Sequence, residues 1–192
     1  MCGLSLTESS LQDLNSVIGV RERMLERMSR DTHRVWQWIK AHRGEFEQEI
    51  LGPPVLTCNV TDPKYADVVE SQLNKNDKLA LIAQNRNDYR KLLDVCFGPG
   101  PESLKLRDVT IRENSNAPIP PRPVSSEEAR GLGFDGFTID FIDGPAPVIS
   151  MLCQECRIHT TVCPSVPSKF EVVYLIARDI AYKPQRVYCC PE

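Results

Sequence analysis

The sequence is poor in histidine and has none of the common signatures of a nucleotide-binding or hydrolytic enzyme. Only three of its 192 residues are histidine, at positions 33, 42 and 159. It contains no GxxxxGK(S/T) phosphate loop, no GxGxxG after a strand, no HExxH and no GxSxG. No window approaches the ~18 consecutive apolar residues of a membrane span. We therefore expect a chain that is neither an enzyme nor a membrane protein.

Net charge is also nearly absent, which argues against a generally basic nucleic-acid binder. The formal charge is −3, with 41% hydrophobic and 26% charged residues, a composition typical of a soluble globular protein. The average hides a segregation, because residues 21–43 carry seven Lys or Arg against three acids. This segment is either the solvated face of a long helix or a binding site for a polyanion.

The N-terminal sequence MCGLSLTESS has no basic region followed by an apolar one, so no secretory signal is expected. A reducing compartment follows from that expectation. There, the eight cysteines are interpreted as free thiols or metal ligands rather than as a disulfide framework.

Three cysteines and a histidine cluster in LCQECRIHTTVC, residues 152–163. Cys153, Cys156, His159 and Cys163 have the chemistry of a tetrahedral zinc site, and a small zinc-binding adaptor is an alternative function. However, the Cys-x2-Cys-x2-His-x3-Cys spacing is short and lacks glycine. The apolar helical pattern of VISMLCQEC also favours burial of these side chains in a core.

A heptad pattern begins at Leu11 and continues to Ile39. Seven of the nine positions at alternating steps of three and four are apolar, which predicts a coiled-coil helix that needs a partner helix. The nine positions are Leu11, Leu14, Ile18, Arg21, Leu25, Met28, Thr32, Val35 and Ile39.

After Pro53-Pro54 the pattern changes to alternating short strands and helices, which predicts an α/β fold. Strands are predicted at 55–60, 78–83 and 106–112, and helices at 64–73 and 85–97. A proline-rich loop follows at 116–123. Beyond it we predict helices at 125–131 and from Pro145 or Pro147 to about Glu155, with strands at 134–141, 157–163 and 169–177.

Three segments carry a family resemblance. The junction WQWIKAHRGEFEQEILGPPVLTCNVTDPKYADVVESQL, the run LALIAQNRNDYRKLL and the segment GFDGFTIDFIDGPAPVISMLCQECRIHTT resemble the structural maintenance of chromosomes (SMC) family. The similarity covers about residues 20–161. It implies an SMC hinge-like mixed-sheet α/β domain preceded by a long coiled-coil helix.

By this resemblance the chain pairs with the hinge of SMC protein 6, associates with single- or double-stranded DNA in repair and recombination, and is located on chromosomes in the nucleus. The family's ATP and Mg²⁺ sites belong to head domains that this sequence lacks, so no cofactor is expected in this chain. An antiparallel return helix of the coiled coil is expected but not seen in the sequence.

The resemblance divides the chain into five segments. These are a coiled-coil arm at 1–46, a first hinge subdomain at 47–115, a proline-rich linker at 116–124, a partial second subdomain at 125–163 and a divergent C-terminal segment at 164–192. The last segment has four prolines after Thr161 and no heptad pattern, which suggests a truncated or mis-spliced sequence.

Two sets of residues are candidates for binding. The cations clustered near the junction with the arm are candidate DNA contacts: Arg27, Arg30, Arg34, Lys40 and Arg43. The alternating residues of two predicted strands are candidates for pairing by strand addition, although burial inside the domain is an equal alternative: Phe137, Ile139, Phe141, Ile158 and Thr160.

Overall fold

The computed structural model of the chain describes residues 17–114 and 118–164. Its helices are α1 (residues 17–28), α2 (Arg30–Ala41), α3 (Pro54–Thr57), α4 (Ala66–Gln72), α5 (Lys75–Lys78), α6 (Arg86–Phe97), α7 (Ser126–Gly131) and α8 (Ala146–Cys156). Its strands are β1 (Asn59–Val60), β2 (Leu81–Ala83), β3 (Ile111–Glu113), β4 (Phe134–Phe137), β5 (Ile142–Asp143) and β6 (Val162–Pro164). Single 3-10 turns lie at Arg43–Glu45, Pro63–Tyr65 and Thr138–Phe141.

The helix predicted over the heptad segment is interrupted at Ser29. This residue has extended backbone angles, and its hydroxyl accepts a hydrogen bond from Thr32 N at 3.2 Å, so it caps a new helix. The heptad pattern takes account of apolar positions only, so it did not predict that Ser29 would cap a new helix. Leu11 and Leu14 lie outside the described residues.

The heptad positions of α2 pack against the chain's own core. Val35 and Ile39 are buried and join a cluster with Leu81 of β2 and Leu92 of α6. Further along the same seam towards the N-terminus, Ile18 is 53% exposed. The seam is therefore satisfied internally at its C-terminal end.

The first α/β segment contains the predicted strands and helices in order, but its strands are shorter than predicted: β2 begins at Leu81, after the unpredicted helix α5, and β3 begins at Ile111. Residues 55–60 are not a single strand, because Pro54 begins α3 and only Asn59–Val60 form a strand. Proline at the first helical position fixes a helical φ, which outweighs the apolar run VLT. The predicted helices at 64–73 and 85–97 are confirmed, and Asn85 caps the second by accepting from Asp88 N at 2.8 Å. Strands β2 and β3 pair in parallel.

The second α/β segment contains shorter strands than predicted. Its helix α7 has a capping box between Ser125 and Glu128, and the predicted helices α7 and α8 are confirmed. The strand at 134–141 ends at Phe137, where a 3-10 turn begins, and the strand at 157–163 begins only at Val162. Arg157 ends α8 with a left-handed φ of 55°, which directs the chain into a turn before β6. The strand predicted at 169–177 lies outside the described residues.

The two segments are held together by a strand pair and a shared core. Strands β1 and β5 pair antiparallel, with Val60 opposite Ile142. The largest apolar cluster contains Val69 and Ile82 from the first segment with Leu152 and Ile158 from the second. The fold is therefore a mixed α/β structure, as the sequence predicted.

Candidate functional site

Four of the five predicted DNA contacts are exposed arginines. Arg27, Arg30, Arg34 and Arg43 lie on the surface of α1, α2 and the turn that follows, and none forms an ion pair within the described ranges 17–114 and 118–164. Such side chains are available to phosphate at little cost in lost protein contacts. The structure therefore leaves this part of the basic surface free for an anionic ligand.

Lys40, the fifth candidate, is already paired. Its Nζ lies 2.6 Å from Glu22 Oε1, which ties α2 to α1 across the break at Ser29. Gln37 donates a second hydrogen bond to the same carboxylate at 3.3 Å. Partial burial acts to raise the pKa of Glu22, but the hydrogen bonds from Lys40 and Gln37 and the charge of Lys40 together outweigh it, and the pKa is lowered. Lys40 is thus less available to a ligand than the four arginines.

The acidic Asp31 lies among these cations but faces the loop before β3. Its carboxylate accepts from the backbone N–H groups of Arg107 at 2.9 Å and of Asp108 at 3.2 Å. These two hydrogen bonds lower the pKa of Asp31. Backbone N–H donors therefore partly satisfy the negative charge of Asp31, which lies beside the arginines of the same helix.

Two of the five candidate pairing residues are fully buried in the chain's own core. Phe137 is 0% exposed among Ala129, Phe134 and Val162, and Ile158 is 0% exposed in the main cluster. For these two side chains the structure shows the alternative of burial inside the domain. Their role in the described chain is to hold β4 and α8 in place.

The other three candidates remain partly accessible. Ile139 packs at the boundary of two clusters, and Phe141 stacks on Tyr65 with ring centroids 3.7 Å apart. Thr160 donates from its hydroxyl to Arg157 O at 3.0 Å. Each is intermediate in exposure, so part of each side chain faces solvent.

The backbone joins the two candidate segments to each other. Thr138 N donates to Thr161 O at 2.8 Å, and Ile139 N donates to Ile158 O at 3.0 Å. Strand β4 continues this pairing with β6 in the antiparallel sense. Each strand of this pair keeps one edge that no described strand occupies.

The cysteine and histidine quartet does not form a metal centre in the described chain. Cys156 Sγ donates to Asp77 Oδ2 at 3.1 Å, whereas Cys163 Sγ lies 3.7 Å from Thr138 Oγ1. Among residues 17–114 and 118–164, no group of three or more His, Cys, Asp or Glu side chains is placed to hold a metal ion. Burial raises the pKa of the Cys163 thiol to about 11.

The fourth member of the quartet, His159, is buried as a neutral side chain. Burial lowers its pKa, and its Nδ1 makes no hydrogen bond to any described residue. The Cys153 thiol is likewise buried, and its pKa is raised to about 11. These features agree with the core interpretation of the helical pattern.

A buried acid that the sequence analysis did not identify connects the two segments. Asp77 is 2% exposed, and in addition to Cys156 it has Arg112 Nη2 within 3.9 Å. Arg112 also bonds Glu155 of α8 at 3.1 Å. No local signal in NDKLAL distinguishes this aspartate from a solvated one, because its partners are distant in sequence.

No helix in the described ranges is long and apolar enough to cross a membrane. No protein-family model matches the chain. Structural maintenance of chromosomes protein 5 of Schizosaccharomyces pombe is 27% identical to it over 129 residues, which is 67% of this chain and 12% of that protein.

The crystal structure of the S. pombe Smc5/6 hinge domain is similar in fold and in sequence. The match has a TM-score of 0.62 and 28% identity, and it covers 78% of this chain and 55% of that one. The chain thus spans a small part of its curated relative and about half of the solved hinge chain.

Proposed function

We propose that this chain, which has the hinge fold of the structural maintenance of chromosomes family and is similar to protein 5, is a non-catalytic module that pairs with the hinge of protein 6. The observation that carries the proposal is the fold match to the Smc5/6 hinge domain over 78% of the chain. As such a hinge, the chain would serve DNA repair and recombination on chromosomes in the nucleus. In this role, ATP hydrolysis belongs to head domains elsewhere in the full-length protein.

Pairing by strand addition is supported by the geometry of β4 and β6. An unoccupied strand edge offers backbone donors and acceptors to a partner strand, while side chains beside it provide selectivity. The partly exposed Ile139, Phe141 and Thr160 are the side chains we assign to this contact. Phe137 and Ile158 would act indirectly, by fixing the strands from the core.

A pairing experiment uses light scattering on this chain mixed with the hinge of protein 6. We expect a one-to-one complex that Thr160→Arg weakens, because a large cation replaces a small half-buried side chain beside the strand pair. Ser71→Arg is the matched control, since Ser71 lies in α4, is exposed and, like Thr160, donates its hydroxyl to the backbone oxygen three residues earlier, here Val68 O at 2.7 Å. A mixture that remains monomeric, or a complex that Thr160→Arg leaves intact, would count against this assignment.

DNA association is supported by the exposed arginines of α1 and α2. Arg30 and Arg34 are four residues apart and lie on one face of α2, and Arg27 lies on α1 just before the break at Ser29. Arg43 is exposed in the 3-10 turn that follows α2. We expect binding to depend on phosphate rather than on base sequence, because no element of the proposal reads a base edge.

The DNA proposal predicts a strong salt dependence. Each phosphate contact contributes about 0.7–0.9 to the slope of log affinity against log salt, on single- or double-stranded DNA. Arg27→Glu/Arg34→Glu should weaken binding and flatten that slope. The control is Arg90→Glu/Arg130→Glu, which makes the same change of charge at exposed arginines elsewhere and should weaken binding less. Equal effects of the two double variants would show that net charge, and not this surface, governs binding.

A further inference from the structure

A groove of about 650 Å³ lies between the C-terminal ends of α2 and α6 and the loop at 98–103. Its walls include Trp38 and His42 from the last turns of α2 and Asp94 from the last turn of α6. None of its lining residues is among those assigned above to DNA or to hinge pairing. The groove therefore offers a separate surface of the same domain.

One wall of the groove is aromatic and held in place. The Trp38 and His42 rings stack with centroids 4.2 Å apart and planes 12° from parallel. The hydrogen bond between His42 Nδ1 and Trp38 O, at 2.8 Å, fixes this arrangement, and Phe46 meets the indole edge-on at 6.1 Å. The wall is thus a preformed flat surface, and a ligand would lose little free energy in organising it.

The other walls are negatively charged. Glu45 and Lys91 neutralise each other at 2.8 Å, and Lys91 also donates to Glu45 O and lies over the Phe46 ring. Asp94 and Glu102 are exposed carboxylates that form no ion pair in the part of the chain that the structure describes. Two uncompensated negative charges therefore face the groove.

The helix ends add to this negative potential. Both α2 and α6 are 12-residue helices, and the C-terminal end of a helix carries partial negative charge that favours cations. Helix α6 has no basic residue in its last turn and has Asp94 there instead. A carboxylate at this end is unfavourable, so Asp94 opposes the helix's own preference. Residues that oppose the preference of their own helix in this way occur mainly at functional or strained sites.

We propose that this groove binds an arginine-containing basic segment of a partner protein. A guanidinium is planar and stacks on aromatic rings, and its fork of donors pairs with carboxylates. The Trp38 and His42 pair supplies the aromatic surface, and Asp94 and Glu102 supply the carboxylates. The volume is sufficient for one such side chain with part of its backbone.

Charge decides between this occupant and a nucleobase. An aromatic platform alone would also suit stacking of a single-stranded base. However, the phosphates that accompany a base would face the unpaired carboxylates of Asp94 and Glu102 and the C-terminal end of α6, whose last turn has no basic residue. The groove is therefore assigned to a cationic protein segment, and DNA to the arginines of α1 and α2.

The test measures binding of a fluorescein-labelled Gly-Arg-Gly-Arg-Gly peptide to the full chain by fluorescence anisotropy. We expect Asp94→Asn/Glu102→Gln to weaken binding about tenfold or more, since it removes both charged acceptors for the guanidinium groups. The matched control is Glu49→Gln/Glu127→Gln, which removes the same charge from exposed acids outside the groove and should change the affinity less than about twofold. Trp38→Leu should also weaken binding, by removal of the stacking surface.

Folding is monitored separately by circular dichroism. Asp94→Asn removes an unfavourable helix-end charge, so the double variant should melt at or above the temperature of the parent chain. Absence of peptide binding, equal weakening by the groove and control variants, or tighter binding of a labelled oligothymidine through Trp38 would each overturn the assignment.

Discussion

The carboxylate of Asp77 accepts a hydrogen bond from the thiol of Cys156 at 3.1 Å, and these two residues belong to different α/β segments of the fold. Asp77 lies in α5 and Cys156 ends α8. Arg112 of β3 approaches the same aspartate at 3.9 Å and bonds Glu155 next to Cys156. One buried acid therefore connects both segments through polar contacts, in addition to their shared apolar core.

Replacing this acid should destabilise the chain. Asp77→Ala leaves the Cys156 thiol without its acceptor and removes a charge partner of Arg112, so we expect a loss of about 1–3 kcal/mol in the free energy of unfolding. Urea denaturation followed by circular dichroism measures it. Asp67→Ala, at an exposed acid in the first turn of α4, is the control and should cost under about 1 kcal/mol. Equal costs at the two positions would contradict a connecting role for Asp77.

Local signals in the sequence predicted the helices well. Asp62-Pro63, Asn85 and the pair Ser125 and Glu128 mark helix starts, and each acts within four residues of itself, so its effect is visible in sequence. At Ser29 the tendency of the heptad segment to continue as one helix competes with the tendency of serine to cap a new one. At Pro54 the strand tendency of the apolar run competes with the helical φ of proline. Periodicity alone does not decide either competition.

Non-local contacts explain what the sequence left open. Phe137 and Ile158 alternate as edge-strand residues do, yet both are buried because α7 and α8 cover them. The groove beside Trp38 combines residues about 60 positions apart, and no pattern within one segment reveals it. Resemblance to the SMC family was therefore the stronger guide to the fold as a whole, and spacing was the stronger guide to single elements.

Asp88 should be a second polar position on which stability depends. It is 2% exposed and accepts from Glu47 N at 3.0 Å, Gln48 N at 2.9 Å and the Asn85 amide at 2.6 Å. These bonds attach the loop after α2 to the start of α6. We expect Asp88→Ala to lower the free energy of unfolding by about 1–3 kcal/mol.

The control for Asp88 is its exposed neighbour. Among the residues that the structure describes, the Asn87 side chain bonds only that of Glu47, at 2.9 Å, and Asn87→Ala should cost under about 0.5 kcal/mol in urea denaturation. Hydrogen exchange adds a local readout, because Asp88→Ala should accelerate exchange at Glu47 and Gln48. Unchanged exchange at these amides would contradict the attachment of the loop by Asp88.

The buried cysteines should make the fold sensitive to alkaline pH. Burial raises the pKa of Cys96 to about 12 and that of Cys153 and Cys163 to about 11, from 9.0 in an exposed thiol. Above pH 9 the unfolded chain loses these protons while the folded chain keeps them. The stability that the neutral thiols contribute is therefore complete below pH 9 and declines as the pH rises towards 11.

Urea denaturation at pH 8, 9 and 10 measures this decline. Each thiol that ionises only in the unfolded state adds a slope of up to about 1.4 kcal/mol per pH unit. Cys96→Val keeps an apolar side chain of similar size without a titrating group, so the variant should lose less stability than the parent between pH 8 and pH 10. Parallel pH profiles for the two proteins would show that Cys96 does not contribute to the decline.

Gly98 should be intolerant of any side chain, whereas its neighbour Gly100 should accept one. A Cβ at position 98 would lie 2.4 Å from the backbone oxygen of Asp94, which is the acceptor of the hydrogen bond that Gly98 N donates at 2.8 Å. Backbone at the end of α6 cannot move aside as a flexible side chain would, so Gly98→Ala must displace the loop that closes the proposed peptide groove. We expect a loss of about 1–3 kcal/mol in the free energy of unfolding, together with weaker binding of the arginine peptide.

A Cβ at position 100 meets nothing within 4 Å, and Gly100→Ala should be neutral or stabilising by up to about 1 kcal/mol, through the lower entropy of the unfolded chain. If both variants melted and bound peptide like the parent chain, the close approach of the loop to Asp94 would not be required for either property.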